Sequence, residues 1–363
     1  MPDFLSAPST PNAVSAHNVG VSMNKNVLIK AGAFVAIFGT WNVQAQSGVT
    51  LYGFIDAGIY KLAERPTSLG NIQRSYWGLK GVEDLGNGYS ATFNLMSRFE
   101  IGSGQLEASG SAPLFYGEST VGFTGPFGQL RLGRALTPMW ARDGAFDPWN
   151  NFDRVASVAW QIYHPSFRSD PYNNGPVGDY GRVNHAVFYD TPQWSGWSVS
   201  VSAAVNRERT PDALGNVEKK RSLGAAINYD KGPLAAILSS ERNSANDSTY
   251  FAAGAIAMGN TRLMLTGSLT NLSEESRVFL GEVRTRRSSM TFGATHRFDA
   301  NTLKLGLGRD FQGYGTLGGT NYVSVGAEHA LSKRTAAYVS VGYRKPAEYR
   351  GGTNLGVGMN HGF

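Results

Sequence analysis

The chain has 363 residues, a formal net charge of +6, 45 glycines, 16 tyrosines, 19 phenylalanines and no cysteine. The lack of cysteine excludes a disulfide scaffold and thiol chemistry; the mean hydropathy is −0.24, and the body of the chain lacks the run of about 20 apolar residues that a membrane-crossing helix requires. The positive charge is a mild bias that by itself selects neither small anions, nucleic acid nor an acidic surface as partner.

Residues 1–22 form a polar, proline-containing tract without period. An export signal is expected from Met23. Lys25 and Lys30 are interleaved with and followed by an apolar run ending near Phe38, and Val43, Gln44 and Ala45 are small or aliphatic enough for the processing positions. The expected organisation is therefore an upstream extension over 1–22 from a start placed too early, a signal peptide over 23–45, and a mature domain over 46–363.

Along the mature chain the dominant signal is a period of two. Val49, Leu51, Gly53, Ile55, Ala57 and Ile59 fall on one face, with Thr50, Tyr52, Phe54, Asp56 and Gly58 on the other. The same alternation predicts strands at 72–82, 88–100, 112–125, 128–134, 182–191, 196–206, 218–230, 232–241, 249–259, 261–271, 286–298, 301–311, 319–330, 333–344 and 352–363, sixteen in all with the first. Their connections alternate in length. Seven are tight, such as those around Pro126, Lys231 and Asn260, and eight are longer, at 61–71, 101–111, 135–181, 207–217, 242–248, 272–285, 312–318 and 345–351. That asymmetry is expected of an all-β, 16-stranded antiparallel transmembrane barrel with both termini at the tight-turn end.

The two faces differ in kind. Val199, Val201 and Ala203 alternate with Ser198, Ser200 and Ser202, and Leu303, Leu305 and Leu307 alternate with Lys304, Gly306 and Gly308. Strands of this length with one apolar face suit hydrocarbon outside and a wet lumen inside. Tyr89, Phe99, Tyr189, Phe298, Tyr338 and Tyr343 lie near strand ends, where they fit interfacial girdles, although each is also compatible with an ordinary sheet aromatic.

The segment 135–181 has no lasting period and is rich in Pro, Gly, Asp and aromatics. A structureless connection of that length usually has a job. It is expected to fold inward and narrow the pore; a mobile surface loop is the alternative. No phosphate-binding or dinucleotide fingerprint stands between a strand and a helix, and the six histidines show no close ligand spacing, so no metal, cofactor or catalytic residue is expected. Arg284, Arg286 and Arg287 form a basic cluster at a loop boundary that reads equally as a lipid-phosphate contact, a partner for acidic loops or a solvated face.

Four stretches in order, VTLYGFIDAGI at 49–59, WGLKGVEDLGNGYSATFNL at 77–95, GPFGQLRLGR at 125–134 and RVNHAVFYDTPQWSGWSVSVS at 182–202, together with a last strand ending on Phe363, resemble the general porins of the Gram-negative outer membrane, most closely the betaproteobacterial type. The resemblance implies a homotrimer and passive diffusion of small ions and hydrophilic solutes, with the third external loop as the constriction. Its implied partners are outer-membrane lipid, lipopolysaccharide and the assembly machinery, which would read Phe363; no nucleic acid is implied. Carried over residue by residue, the basic wall is Arg131, Arg134 and Arg182, with Lys80 as neighbour. Period-two counting sets Arg134 beside Leu130 and Leu132, so an inward Arg134 requires the pleat to break near Gly133. Asp143, Asp147 and Asp153 are the loop acids expected to face that wall, each being alternatively a solvated carboxylate. Where strongly basic relatives carry basic residues, this chain has Tyr76 and Glu118, which weakens the expected anion preference. The alternative function is a non-conducting barrel acting as adhesin or enzyme.

Overall fold

The computed structural model describes residues 48–108, 110, 112–171, 181–205, 221–280, 282, 284–313 and 318–363. The expected extension and signal peptide lie outside them. In chain order the strands are β1 (Gly48–Lys61), β2 (Ser68–Gly70), β3 (Ser75–Gly86), β4 (Tyr89–Phe99), β5 (Glu118–Gly125), β6 (Gly128–Leu136), β7 (Arg182–Asp190), β8 (Trp197–Ala204), β9 (Leu223–Lys231), β10 (Leu234–Arg242), β11 (Ser248–Met258), β12 (Thr261–Asn271), β13 (Arg286–Phe298), β14 (Asn301–Asp310), β15 (Thr320–Ala330), β16 (Thr335–Pro346) and β17 (Gly352–Gly362).

Leaving aside the three-residue β2, these are the sixteen expected strands, each hydrogen-bonded antiparallel to its sequence neighbour. β1 closes the sheet. One of its edges pairs with β17 from Phe54↔Gly362 to Lys61↔Leu355, and the other pairs with β3 from Gly48↔Val82 to Phe54↔Tyr76 and with β2 near Gly58. A closed sheet leaves no row of unpaired amides, which hydrocarbon would penalise by several kcal/mol per group.

Some boundaries differ from expectation. β3 runs through Glu83 and Asp84, expected in a turn, and the chain reverses at Asn87 and Gly88, whose φ angles of 54° and 79° suit a two-residue hairpin loop. β5 begins at Glu118 rather than near 112; Pro113, which has no amide donor, stands in the omitted part. Among the described residues three short α-helices, α1 (Pro138–Arg142), α2 (Val158–Ile162) and α3 (Glu274–Leu280), lie in the long connections. Five to seven residues are too few turns for a helical period to register in sequence.

The alternation sorts the side chains. Val49, Leu51, Val323, Val325, Leu355 and Val357 are exposed on the outer face, whereas Ser202, Thr266, Thr291, Ser324 and Ser340 on the other face are buried. Tyr89, Phe298 and Tyr343 are exposed as a girdle requires. Tyr338 is not a girdle residue: it is buried on the inner face and its hydroxyl donates to Asp56 Oδ2. Its alternation with the exposed Val339 sets that direction and overrides its place near a strand end. An apolar cluster joins Met139, Trp140, Phe146, Tyr163 and Phe167 to Ile237, Phe251 and Met264 of β10–β12.

Candidate functional site

One side of the site is built on β1, β3 and β4. Period-two spacing puts Arg74, Tyr76 and Lys80 on one face of β3 and its lead-in. Tyr52 stands opposite Gly78, and a Cβ at that glycine would lie 2.7 Å from the tyrosine ring, so the missing side chain lets the ring lie flat across the strand. The Tyr52 hydroxyl donates to Asn94 Oδ1 at 2.6 Å, and the Lys80 ammonium lies 5.2 Å from its ring centroid. Tyr76 is held edge-on to Tyr52 at 6.3 Å and stacked on Phe54 at 6.1 Å.

The neighbouring strands supply the guanidinium groups. Arg131 spans two carboxylates, Glu118 at 3.5 Å and Asp190 at 3.0 Å, while Glu118 also accepts from Thr120 Oγ1 at 2.9 Å. The pleat break needed for Arg134 is present. The β6–β7 register shifts between Gly133 and Ala135, and Gly133 has a φ of 132°. Arg134 then donates to the Tyr116 carbonyl at 2.9 Å and to Asn184 Oδ1 at 2.5 Å. Its guanidinium lies 4.6 Å from the Tyr116 ring centroid, and Arg98 lies 4.7 Å from the same centroid, so one phenol carries two cations. Arg98 is further paired with Glu107, and the buried Arg182 donates to the Gly117 carbonyl.

The 135–181 connection brings its own polar groups. α1 starts on Thr137 and Pro138, a residue suited to a first helical turn, and Glu241 of β10 accepts from Thr137 Oγ1 at 2.9 Å and the Met139 amide at 3.0 Å. Arg142 at its other end pairs with Asp230 of β9. Asp143 bonds His164 Nε2 at 2.7 Å and accepts from Asn151 Nδ2 at 2.9 Å. Asp147 accepts from the Asn151 amide at 3.0 Å and from Ser157 Oγ. Asp153 accepts from the Val155 and Ala156 amides at 2.7 and 2.9 Å, and from Ser340 Oγ of β16 at 2.7 Å. All three carboxylates are buried. Burial pushes the Asp147 carboxyl up to about 6 and raises that of Asp153, while burial lowers the His164 imidazole against the opposing pull of Asp143.

Tyr76, Glu118 and Arg182 share with Asp143 and Trp140 the lining of one cavity of 550 Å³. Lys80 and Arg131 adjoin this lining through Tyr52 and Glu118, whereas Arg134 is one residue further off, sharing the Tyr116 ring with Arg98 of the lining. Asp147 and Asp153 are engaged in the hydrogen bonds that shape the connection. Phe363 belongs to the barrel seam, where it exchanges two backbone hydrogen bonds with Gly53. Arg287 of the expected basic cluster is buried against Glu282 at 2.8 Å. Sequence reasoning missed Arg74 and Arg98, which also line the cavity, although the alternations that carry Tyr76 and Asn94 include both. It missed Glu241 as well, whose partners Thr137 and Met139 lie more than a hundred positions away.

The family profile described as Gram-negative porin matches residues 32–346. Outer membrane porin protein 32 of Delftia acidovorans is 26% identical over 373 residues, spanning 91% of this chain and 98% of its own. Major outer membrane protein P.IB of Neisseria meningitidis serogroup B is 28% identical over 350 residues, spanning 88% and 96%. Among solved structures, the anion-selective porin from Comamonas acidovorans superimposes with a TM-score of 0.71 at 23% identity, covering 88% of this chain and all of its own, a likeness of fold. A closed sixteen-stranded barrel, apolar without and polar within, and a match over most of its length place this chain in the Gram-negative porin family, as a non-catalytic diffusion channel of the bacterial outer membrane.

Proposed function

We propose that the 135–181 connection folds into the lumen and forms the constriction of this channel, which prefers anions weakly. The observation that carries the reading is the cavity bounded by Tyr76, Glu118 and Arg182 from the wall and by Trp140 and Asp143 from the connection. Fixed charges at a narrow section act on an ion throughout its passage, whereas those elsewhere are screened beyond about 8 Å at physiological salt. Arg131, Arg134, Arg182 and Lys80 supply the positive field. Glu118, already bonded to Arg131, and the neutral Tyr76 dilute it. Asp143, Asp147 and Asp153 oppose it from within the connection, while their hydrogen bonds give that segment its shape. The anion selectivity of the Comamonas porin accords with this sign.

The zero-current potential across a KCl gradient tests the assignment. Arg182→Gln is expected to reduce the anion preference and Asp147→Asn to increase it at neutral pH. If neither substitution moves the potential, the selectivity site lies elsewhere.

The same proposal extends to biogenesis. Residues 1–22 are an upstream extension, 23–45 a cleaved signal, and the mature barrel begins at Gln46; amino-terminal sequencing of protein from outer membranes decides this. The barrel works as a homotrimer in contact with outer-membrane lipid and lipopolysaccharide, and reaches the membrane through the assembly machinery. Native mass in mild detergent should give three chains per particle.

A further inference from the structure

We infer that the cavity between the wall and the connection is a binding subsite for aromatic carboxylates, an inference that rests on reading this cavity as the constriction. Its volume of 550 Å³ lies within the range of small-molecule sites. Its lining combines two chemistries that a plain ion filter does not need together.

The first is guanidinium charge. Arg74 over the Trp160 ring, Arg98 paired with Glu107, and Arg182 bonded to the Gly117 carbonyl line the cavity, against the carboxylates of Glu118 and Asp143. Both carboxylates already hold donors, Glu118 from Thr120 and Arg131, Asp143 from Asn151 and the His164 ring. A guanidinium fork matches a carboxylate in shape as well as charge.

The second is a set of rings. Tyr52 and Tyr76 present a fixed aromatic corner, pinned by the Asn94 hydrogen bond and by the stack on Phe54. Phe152, 37% exposed, faces the same space from the connection, and the buried Trp140 backs it. Rings held before the ligand arrives lose little freedom on binding.

The two sets together discriminate. Chloride and acetate use only the charge; a neutral aromatic uses only the rings; an aromatic cation meets like charge. A flat acid such as benzoate uses both, with ring contacts in offset or edge-on geometry. Cyclohexanecarboxylate has a similar size and the same charge but no π face, and is the matched control.

The experiment uses the protein as purified from outer membranes, in planar bilayers. Benzoate, cyclohexanecarboxylate or acetate is titrated into KCl on one side while single-channel conductance and current noise are recorded. Benzoate is expected to reduce conductance saturably, at a half-saturating concentration about fivefold below that of cyclohexanecarboxylate. Phe152→Ala, which removes an exposed ring, should bring the two acids close to equality. Arg74→Gln should weaken both alike. Equal half-saturation for the two acids in the unaltered protein, with anion preference in KCl intact, overturns the subsite alone. Absence of anion preference in KCl overturns the constriction reading beneath it, and the subsite with it.

Discussion

The indole Nε1 of Trp149, on the connection between β6 and β7, donates to Ser340 Oγ of β16 at 3.2 Å across 191 positions of sequence. Ser340 in turn donates to Asp153 Oδ2 at 2.7 Å, so one hydroxyl ties a ring and a carboxylate of the connection to the wall. Removing it strands a buried N–H and a buried carboxylate oxygen, a cost of about 1–3 kcal/mol. Ser340→Ala should therefore loosen the connection while leaving the strand ladder intact. Single-channel current noise and the rate of proteolytic cleavage within 135–181 should both rise, with the heat resistance of the barrel on gels unchanged. Unaltered noise and cleavage would mean that the tie has no mechanical role.

Gly133→Ala should destabilise the barrel more than alanine at glycines whose Cβ would meet open space. A Cβ there would lie 2.1 Å from the Ser119 carbonyl oxygen, and the φ of 132° belongs to glycine. The strain is about 1–3 kcal/mol and falls on the bulge that turns Arg134 out of the alternation. Gly254→Ala and Gly267→Ala, whose Cβ atoms would meet nothing within 4 Å, are the controls. Urea unfolding midpoints in detergent decide the matter: equal midpoints for all three variants contradict the strain argument.

The strands were legible because a period of two sustained over about ten residues is a strong signal and each reversal carries turn chemistry. Most connections fell where the alternation stopped, the shifts at Glu83 and before Glu118 excepted, and even the bulge at Gly133 was readable as a condition on Arg134. The connection itself was not legible. Its helices span five residues, most partners of its acids lie within the connection itself with nothing in the sequence to mark them, and the one on the wall, Ser340, lies 187 positions from Asp153. Counting carboxylates gave their charge, but only the fold shows that Asp153 bonds the amides of Val155 and Ala156. Arg74 and Arg98 were hidden differently: the pattern placed them on the right face, but nothing in it marked them as nearer the cavity than Lys80.

Phe363 closes the seam of the barrel and is proposed to carry the assembly signal, two roles that deletion alone would confound. Its amide and carbonyl bond to Gly53 at 3.0 and 3.1 Å, and its ring lies across that glycine, where a Cβ would come within 2.4 Å. Phe363→Ala keeps the backbone seam and removes the ring. The expected result is a several-fold lower amount in the outer membrane, with refolding from urea into detergent near normal yield. Refolding reduced in proportion to the cellular amount would assign the ring to barrel closure and remove the assembly-signal role.

Channel selectivity should change with pH through Asp147. Burial raises its pKa from 3.8 to about 6, and the hydrogen bonds from Ser157 and Asn151 offset only part of that rise. The carboxyl therefore carries its charge at about pH 7.5 and is neutral at about pH 4.5. Because the folded-state value lies above the unfolded one, its contribution to the stability of the connection is fully present below about pH 4 and is lost as pH rises through about 6. Acidification should thus remove one negative charge near the cavity and quiet the current together, raising anion preference along a curve centred near pH 6. His164 runs the other way: burial lowers its pKa, so it stays neutral further into acid, and its protonation there works against the connection. Asp147→Asn separates the two, since it should hold the higher anion preference at both pH values and abolish the step near 6, while His164→Gln should keep it. Zero-current potentials in KCl at a series of pH values make the comparison, and a step of the same size and midpoint in Asp147→Asn would show that another group titrates.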